Sequence, residues 1–218
     1  MRMKETARPD MQKTKQTIID AALRLFDMRG FDGTPVRAIA EQAGVNVALV
    51  SYYFGGKNGL REWLMTSFFE SYLQTLEAAV NAGGSSSAVR LNGVAAALVD
   101  YHQAHFALAR FVHREMTIDN QLVRELMSSY LMKEKFLLLR LMYTTLPEGS
   151  TDPIYAELTA LQFRGLLLMP FQQPQYFREV FFMQPTDAAF THTYMRFVDR
   201  WISRLLAPAD GGKVMERR

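Results

Sequence analysis

Apolar residues recur at helical spacing through most of this chain, and the spacing predicts its elements. Ile18, Ala22, Leu25 and Phe26, widened by Ile19 and Leu23, make one face of a first helix from about Thr14 to Arg29. Gly30 ends it, and Phe31 can fold back on its last turn. Val36, Ile39, Ala40 and Ala43 then form the apolar face of a short second helix. Thr34 is a good N-cap, and Pro35 suits the first helical position, where its missing N–H costs nothing. Gly44 supplies the positive φ that stops a helix, and Val45 can plug the gap to the next one. Asn46 caps a third helix, Val47 to Tyr53, and Gly55-Gly56 stops it. Val50 and Phe54 point inward, which leaves Val47, Ala48, Ser51 and Tyr52 outward. Two short helices joined by a tight Gly turn are a helix-turn-helix, whose second helix normally enters the DNA major groove.

The pattern stays helical afterwards. Leu60, Leu64, Ser67, Phe68, Tyr72, Leu76 and Val80 stripe a fourth helix from Lys57 or Asn58 to Asn81. NAGGSSS, residues 81–87, is a flexible linker and the clearest break in composition. Further helices are predicted from Val89 to His105, on to Thr117, and from Asp119 or Asn120 to Thr145. Asp152-Pro153 opens another to Met169, where PFQQPQ breaks it. A short helix fits Tyr176 to Met183, and Pro185-Thr186-Asp187 opens the last, to Leu206. That last helix carries Phe190, Tyr194, Phe197, Trp201 and Leu205 on one face. The helix ending at Met169 is apolar nearly all round, with Leu158, Leu161, Phe163, Leu166, Leu167 and Leu168. Faces this large belong in a core or against a partner.

The string IAEQAGVNVALVSYYFGGKNGL resembles the DNA-binding signature of the TetR/AcrR family of bacterial one-component regulators. Ile39, Ala40, Ala43, Gly44, Val45, Asn46, Val50, Tyr53, Phe54, Lys57 and Leu60 stand in the signature positions. The match covers roughly residues 14–64; the rest is similar only in length and helical character. The resemblance implies an all-α fold: an N-terminal three-helix helix-turn-helix DNA-binding domain and a C-terminal helical ligand-binding and dimerisation domain. The expected division is a disordered basic arm over 1–13, the DNA-binding domain over 14–60, the effector-binding and dimerisation domain over 61–207, and a flexible tail over 208–218. It also implies a homodimer on double-stranded DNA with a palindromic operator, released by a small, largely apolar effector. The fourth helix would be the lever between domains.

Composition changes this picture little. The chain has 218 residues, enough for one large domain or two small ones, and 49% of them are hydrophobic, enough for a real core. It has no cysteine, which excludes disulfides, Cys-ligated zinc and thiol nucleophiles. No apolar run reaches about 18 residues, and the charged N-terminus does not read as a signal peptide, so the expected location is the cytoplasm. The net charge is only +3, but Arg2, Lys4, Arg8, Lys13 and Lys15 crowd ahead of the first helix, opposed by Glu5 and Asp10. A basic arm beside a helix-turn-helix can reach phosphate; a solvated terminus is the plainer reading.

Candidate chemistry follows from side-chain type. Small and apolar groups let a helix approach base edges closely and pack on thymine methyls. Arg37, Val47, Ala48, Leu49 and Tyr52 are therefore the candidate base readers, with Arg37 the strong candidate for guanine. Thr34, Asn46, Ser51, Tyr53 and Lys57 are the phosphate contacts that the resemblance implies; Tyr53 also fits a half-buried core position. Aromatic and methionine side chains suit a pocket that accepts several shapes, although most such residues serve as core. The candidate effector residues are Trp63, Phe68, Tyr72, Tyr101, His102, His105, Phe106, Met116, Met127, Tyr130, Gln162 and Phe163. The candidate dimer interface comprises Leu158, Leu161, Phe163, Leu167, Phe190, Tyr194, Phe197 and Trp201. His102 and His105 share a helical face, but with no cysteine and no fixed carboxylate neither a metal nor a cofactor is expected. Catalytic motifs of the G-x-S-x-G, P-loop and dinucleotide-binding kinds are absent, so no enzyme is expected. The alternative function is a DNA-binding factor with no small-molecule inducer, architectural or regulated by a protein.

Overall fold

The computed structural model describes residues 7–118, 121–147 and 152–207, and among them all regular structure is helical. The order is α1 (Ala7–Arg29), α2 (Val36–Ala43), α3 (Val47–Phe54), α4 (Lys57–Asn81), α5 (Ser87–Ala104), α6 (Phe106–Glu115), α7 (Gln121–Thr145), α8 (Pro153–Gln172), α9 (Pro174–Phe181) and α10 (Ala188–Leu205). No helix among the described residues is long and apolar enough to cross a membrane. The chain falls into two compact units, one of residues 1–71 with 105–130, the other of 72–104 with 131–218.

In the first unit Ile18, Ala22 and Phe26 of α1, Ile39 of α2, Val50 of α3 and Leu60 and Leu64 of α4 form one fully buried or nearly fully buried core. α6 joins it: Phe26 stacks on Phe111 with centroids 5.1 Å apart, and Arg114 donates to the Phe26 carbonyl. Residues 105–130, expected in the effector domain, thus pack with the DNA-binding helices. α1 begins at Ala7 rather than Thr14, so residues 7–13 of the expected arm are helical. The rest of the arm, Asp119 and Asn120, and the tail 208–218 lie outside the described residues.

In the second unit α5 packs on α8 and α10. Leu91, Val94, Ala95 and Leu98 of α5 and Ala156, Phe163 and Leu167 of α8 are buried there. Polar ties hold the faces in register: Asn92 donates to Asp199 at 2.8 Å, Gln103 to the Pro185 carbonyl at 3.1 Å, and Arg90 to the Thr144 carbonyl at 3.1 Å. The glycine- and serine-rich stretch is only the connection between α4 and α5, inside this unit.

α8 does not break at Pro170, as its sequence predicts, but runs through to Gln172. A helical proline cannot donate to the carbonyl four residues back. Here that carbonyl, on Leu166, accepts a hydrogen bond from the Tyr194 hydroxyl of α10. Burial pushes the pKa of that hydroxyl up to about 12, so it remains a donor.

Candidate functional site

The helix-turn-helix is built from local chemistry. Gly44 ends α2 at φ 67° and Gly55 ends α3 at φ 71°, both in the left-handed region where a Cβ is unfavourable. The Asn46 carboxamide oxygen accepts the Ala48 N–H at 2.9 Å and caps α3. Val50 and Phe54 bury one side of α3, while Val47, Ala48, Ser51 and Tyr52 face solvent, Tyr52 at 74% exposure. Arg37 is exposed on α2. Leu49 is half-buried, so this candidate reader shares its surface with the core side of α3. Tyr53 is also half-buried, with Lys15 5.5 Å above its ring.

Two expected phosphate contacts are otherwise engaged. Thr34 is fully buried and neither caps α2 nor faces outward. Its hydroxyl donates to the Gly30 carbonyl at 2.7 Å, just past the end of α1, with the Leu25 carbonyl at 3.3 Å. The residue before α2 is Pro35. Lys57 donates to the Phe31 carbonyl at 3.0 Å and lies 4.5 Å from the centroid of the Phe31 ring. Arg61 covers the same ring at 4.2 Å. Arg61 also pairs with Glu115 of α6 at 3.6 Å, where burial raises the carboxyl pKa more than Arg61 and Arg114 lower it. The sequence signal of this joint is a glutamate on the same face as buried Phe111 and Val112.

The expected effector residues divide between the units. In the first, Phe68 is buried against Phe69 and His113, and Tyr130 stacks on Phe69. Phe106 and Met116 are half-buried, and the side chain of Met127 lies outside the described residues. Trp63 is 40% exposed beside Phe54, and His105 is exposed at the start of α6, so neither is an interior residue. In the second unit Tyr72, Tyr101, His102 and Phe171 form one buried aromatic group. The Nδ1 of His102 is 2.8 Å from the Leu98 carbonyl. Gln162 is exposed, and Phe163 is fully buried against Trp201.

A charged network in the second unit was missed. Tyr72 donates to Glu134 Oε1 at 2.6 Å, and Arg164 Nε donates to the same oxygen at 2.9 Å. Burial, and then the Glu134 charge, holds the Tyr72 pKa well above the usual tyrosine value. Glu134 and Arg164 line a groove of about 310 Å³ whose walls include Leu131, Leu138, Leu158 and Leu161.

The candidate dimer residues also divide. Leu158, Leu161 and Phe197 are more than half exposed, and Phe190, Tyr194 and Trp201 are partly covered. Phe163 and Leu167 are fully buried within their own unit and cannot face a partner in this arrangement.

Comparison with known proteins decides the family. Residues 18–63 match the model of bacterial regulatory proteins of the tetR family. The chain is 43% identical over 202 residues to the probable HTH-type transcriptional regulator YttP of Bacillus subtilis (strain 168), covering 90% of this chain and 96% of that protein. The chain belongs to the TetR family. Solved TetR-family structures share its fold: PfmR of Thermus thermophilus at TM-score 0.69 and 14% identity, covering 91% of this chain and 98% of that one. FadR of Bacillus subtilis, solved with stearoyl-CoA, follows at TM-score 0.64 and 17% identity, covering 84% and 97%. This TetR-family chain is therefore a DNA-binding transcriptional regulator and not an enzyme.

Proposed function

We propose that the protein is a homodimeric repressor that holds a palindromic operator through two copies of α3 and releases it when a small, largely apolar effector binds. The observation that carries the DNA half is the exposed face Val47, Ala48, Ser51 and Tyr52 on a helix whose other side is fixed by Val50 and Phe54. An apolar face of this kind is costly in water and well suited to thymine methyls in a major groove. Arg37 supplies the bidentate donor for guanine, and Asn46, Ser51 and Tyr53 contact phosphate. Exposed Leu158, Leu161 and Phe197 support the dimer. FadR, a protein of the same fold solved with stearoyl-CoA, supports an effector with a long apolar part.

The mechanism is a shift of populations. Effector binds better to a conformer in which the two α3 helices no longer meet successive major grooves, and α4 carries the change. Its effect on operator affinity is limited to its own preference between conformers, about 1–3 kcal/mol per coupled site.

The test is selection of bound fragments from random and genomic DNA with purified protein at stated salt. A single palindromic motif is expected, and the Arg37→Ala variant relaxes one base position in it, at a cost of about 1–3 kcal/mol. Binding without a motif, falling steeply with salt, would leave only the electrostatic contribution and refute the reading. Equal loss on specific and random DNA would remove Arg37 as a base reader.

A further inference from the structure

The connection from α9 to α10 holds an arrangement that a single chain does not explain. Phe182 follows α9 at φ 54° and ψ 36°, the one described non-glycine residue with positive φ. It occupies the helix-ending position that glycine normally fills, with the Met183 N–H donating to the Phe177 carbonyl at 3.0 Å. A bulky aromatic is unfavourable in that conformation. Nothing in its own unit compensates, because Phe182 is 88% exposed.

Around it lies a cluster of uncovered apolar side chains: Tyr176, Val180, Phe181 and Met183 are each 45–53% exposed, and Phe197 on α10 is 57% exposed. At about 200 Å² for a large side chain, Phe182 and these five expose roughly 600–700 Å². One partner of a standard protein interface contributes about 800 Å². The cluster runs into a groove of about 620 Å³ walled by Phe177, Phe190, Tyr194 and Phe197, with Phe182 and Met183 themselves on its lining. Knob and groove thus occupy one stretch of about twenty residues, from Phe177 to Phe197. Copies related by a two-fold axis satisfy both at once, since each surface meets its own counterpart.

We infer that Phe182 of each protomer seats in the groove between α9 and α10 of a second copy of this chain, so that α9 and the turn after it lock the dimer. This rests on the dimer reading above and adds the residue that fastens it.

The chain has no cysteine, so single-cysteine variants report position cleanly. Phe182→Cys and Thr193→Cys, the latter on the groove wall and exposed, are placed on differently tagged chains. The chains are co-expressed and treated with a short bismaleimide. A crosslink between unlike chains is expected. The Phe182→Ser variant should raise the dimer dissociation constant by about 30-fold or more, as loss of a buried aromatic anchor does. A dimer in which the Phe182→Cys and Thr193→Cys chains give no crosslink, or whose dissociation constant is unchanged by Phe182→Ser, overturns the inference and leaves the dimer standing. A wild-type chain that sediments as a monomer at every concentration overturns the dimer reading itself.

Discussion

The hydrogen bond from Tyr194 to the Leu166 carbonyl can be isolated by a double-mutant cycle with Pro170. Tyr194→Phe removes only the hydroxyl; the ring can keep its stacking on Phe190, 5.1 Å between centroids. The Leu166 carbonyl then has no donor, because the residue four positions on is proline. An unmade bond at a buried carbonyl costs about 1–3 kcal/mol. Tyr194 and Leu166 are only partly covered, so the lower half of that range applies, about 1–2 kcal/mol. For a chain of this length that is a fall of roughly 2–8 °C in the melting temperature. Pro170→Ala restores the N–H that an ordinary helix would offer to Leu166. In the Pro170→Ala background, Tyr194→Phe should therefore cost less than about 0.5 kcal/mol, for a coupling of about 1 kcal/mol. The assay is urea denaturation of the four proteins at one fixed concentration, because the stability of an oligomer varies with concentration. Additive free energies, within about 0.5 kcal/mol, would show that proline and tyrosine act independently and would refute the account of how α8 passes residue 170.

The remaining predictions concern the first unit. Lys57→Met keeps an apolar stem over the Phe31 ring but loses the bond to its carbonyl, so the DNA-free protein should lose about 1–2 kcal/mol; an unchanged denaturation midpoint would return Lys57 to a pure phosphate contact. Glu115 has a carboxyl pKa raised by burial, so the folded state holds that proton more tightly than the unfolded state. Its contribution to stability is therefore greatest at low pH and falls as pH rises from the ordinary glutamate value through the raised folded value. The stability of wild type minus that of Glu115→Gln should decline across that window and be level on either side. Parallel stability curves in denaturation at a series of pH values would contradict the burial of the charge.

What was legible in the sequence was whatever local chemistry decides. Gly44, Asn46 and Gly55 each do in the structure what their residue types require, so α2 and α3 could be placed from the sequence to within a residue. Thr34 shows the limit. Its type fits an N-cap, but its hydroxyl turns back to the Gly30 carbonyl at the end of the preceding helix. Pro170 failed for a similar reason, since the donor that lets α8 continue is on α10, 28 residues beyond Leu166. In α8 the periodicity was ambiguous because apolar residues surround the helix. Ala156, Ala160, Phe163 and Leu167 turned inward, whereas Leu158 and Leu161 turned outward, and only packing distinguishes those stripes. Glu134 gave a signal that was not used. It lies on the face of α7 that also buries Leu138 and Leu141, and a carboxylate on a buried stripe requires partners, here Tyr72 and Arg164.

The compact unit that holds the DNA-binding helices also takes in residues 105–130, well past the expected boundary at residue 60. The end of α1 presents the Phe26 ring and carbonyls that a three-helix domain leaves incompletely covered. The chain covers them with α6: Phe111 stacks on the ring, Arg114 donates to the Phe26 carbonyl, and Arg110 pairs with Asp27 at 3.2 Å. Glu115, at the last turn of that helix, holds Arg61 of α4, which lies over Phe31 in the turn leading to α2. The Arg110 pair is partly exposed and contributes little. The stacked rings and the buried carboxylate are another matter, since neither can be separated without uncovering apolar surface or an uncompensated charge. α6 is thus bound to the elements that carry α3, although about fifty residues of chain intervene. It touches the DNA-binding helices directly, through packed side chains and two ion pairs.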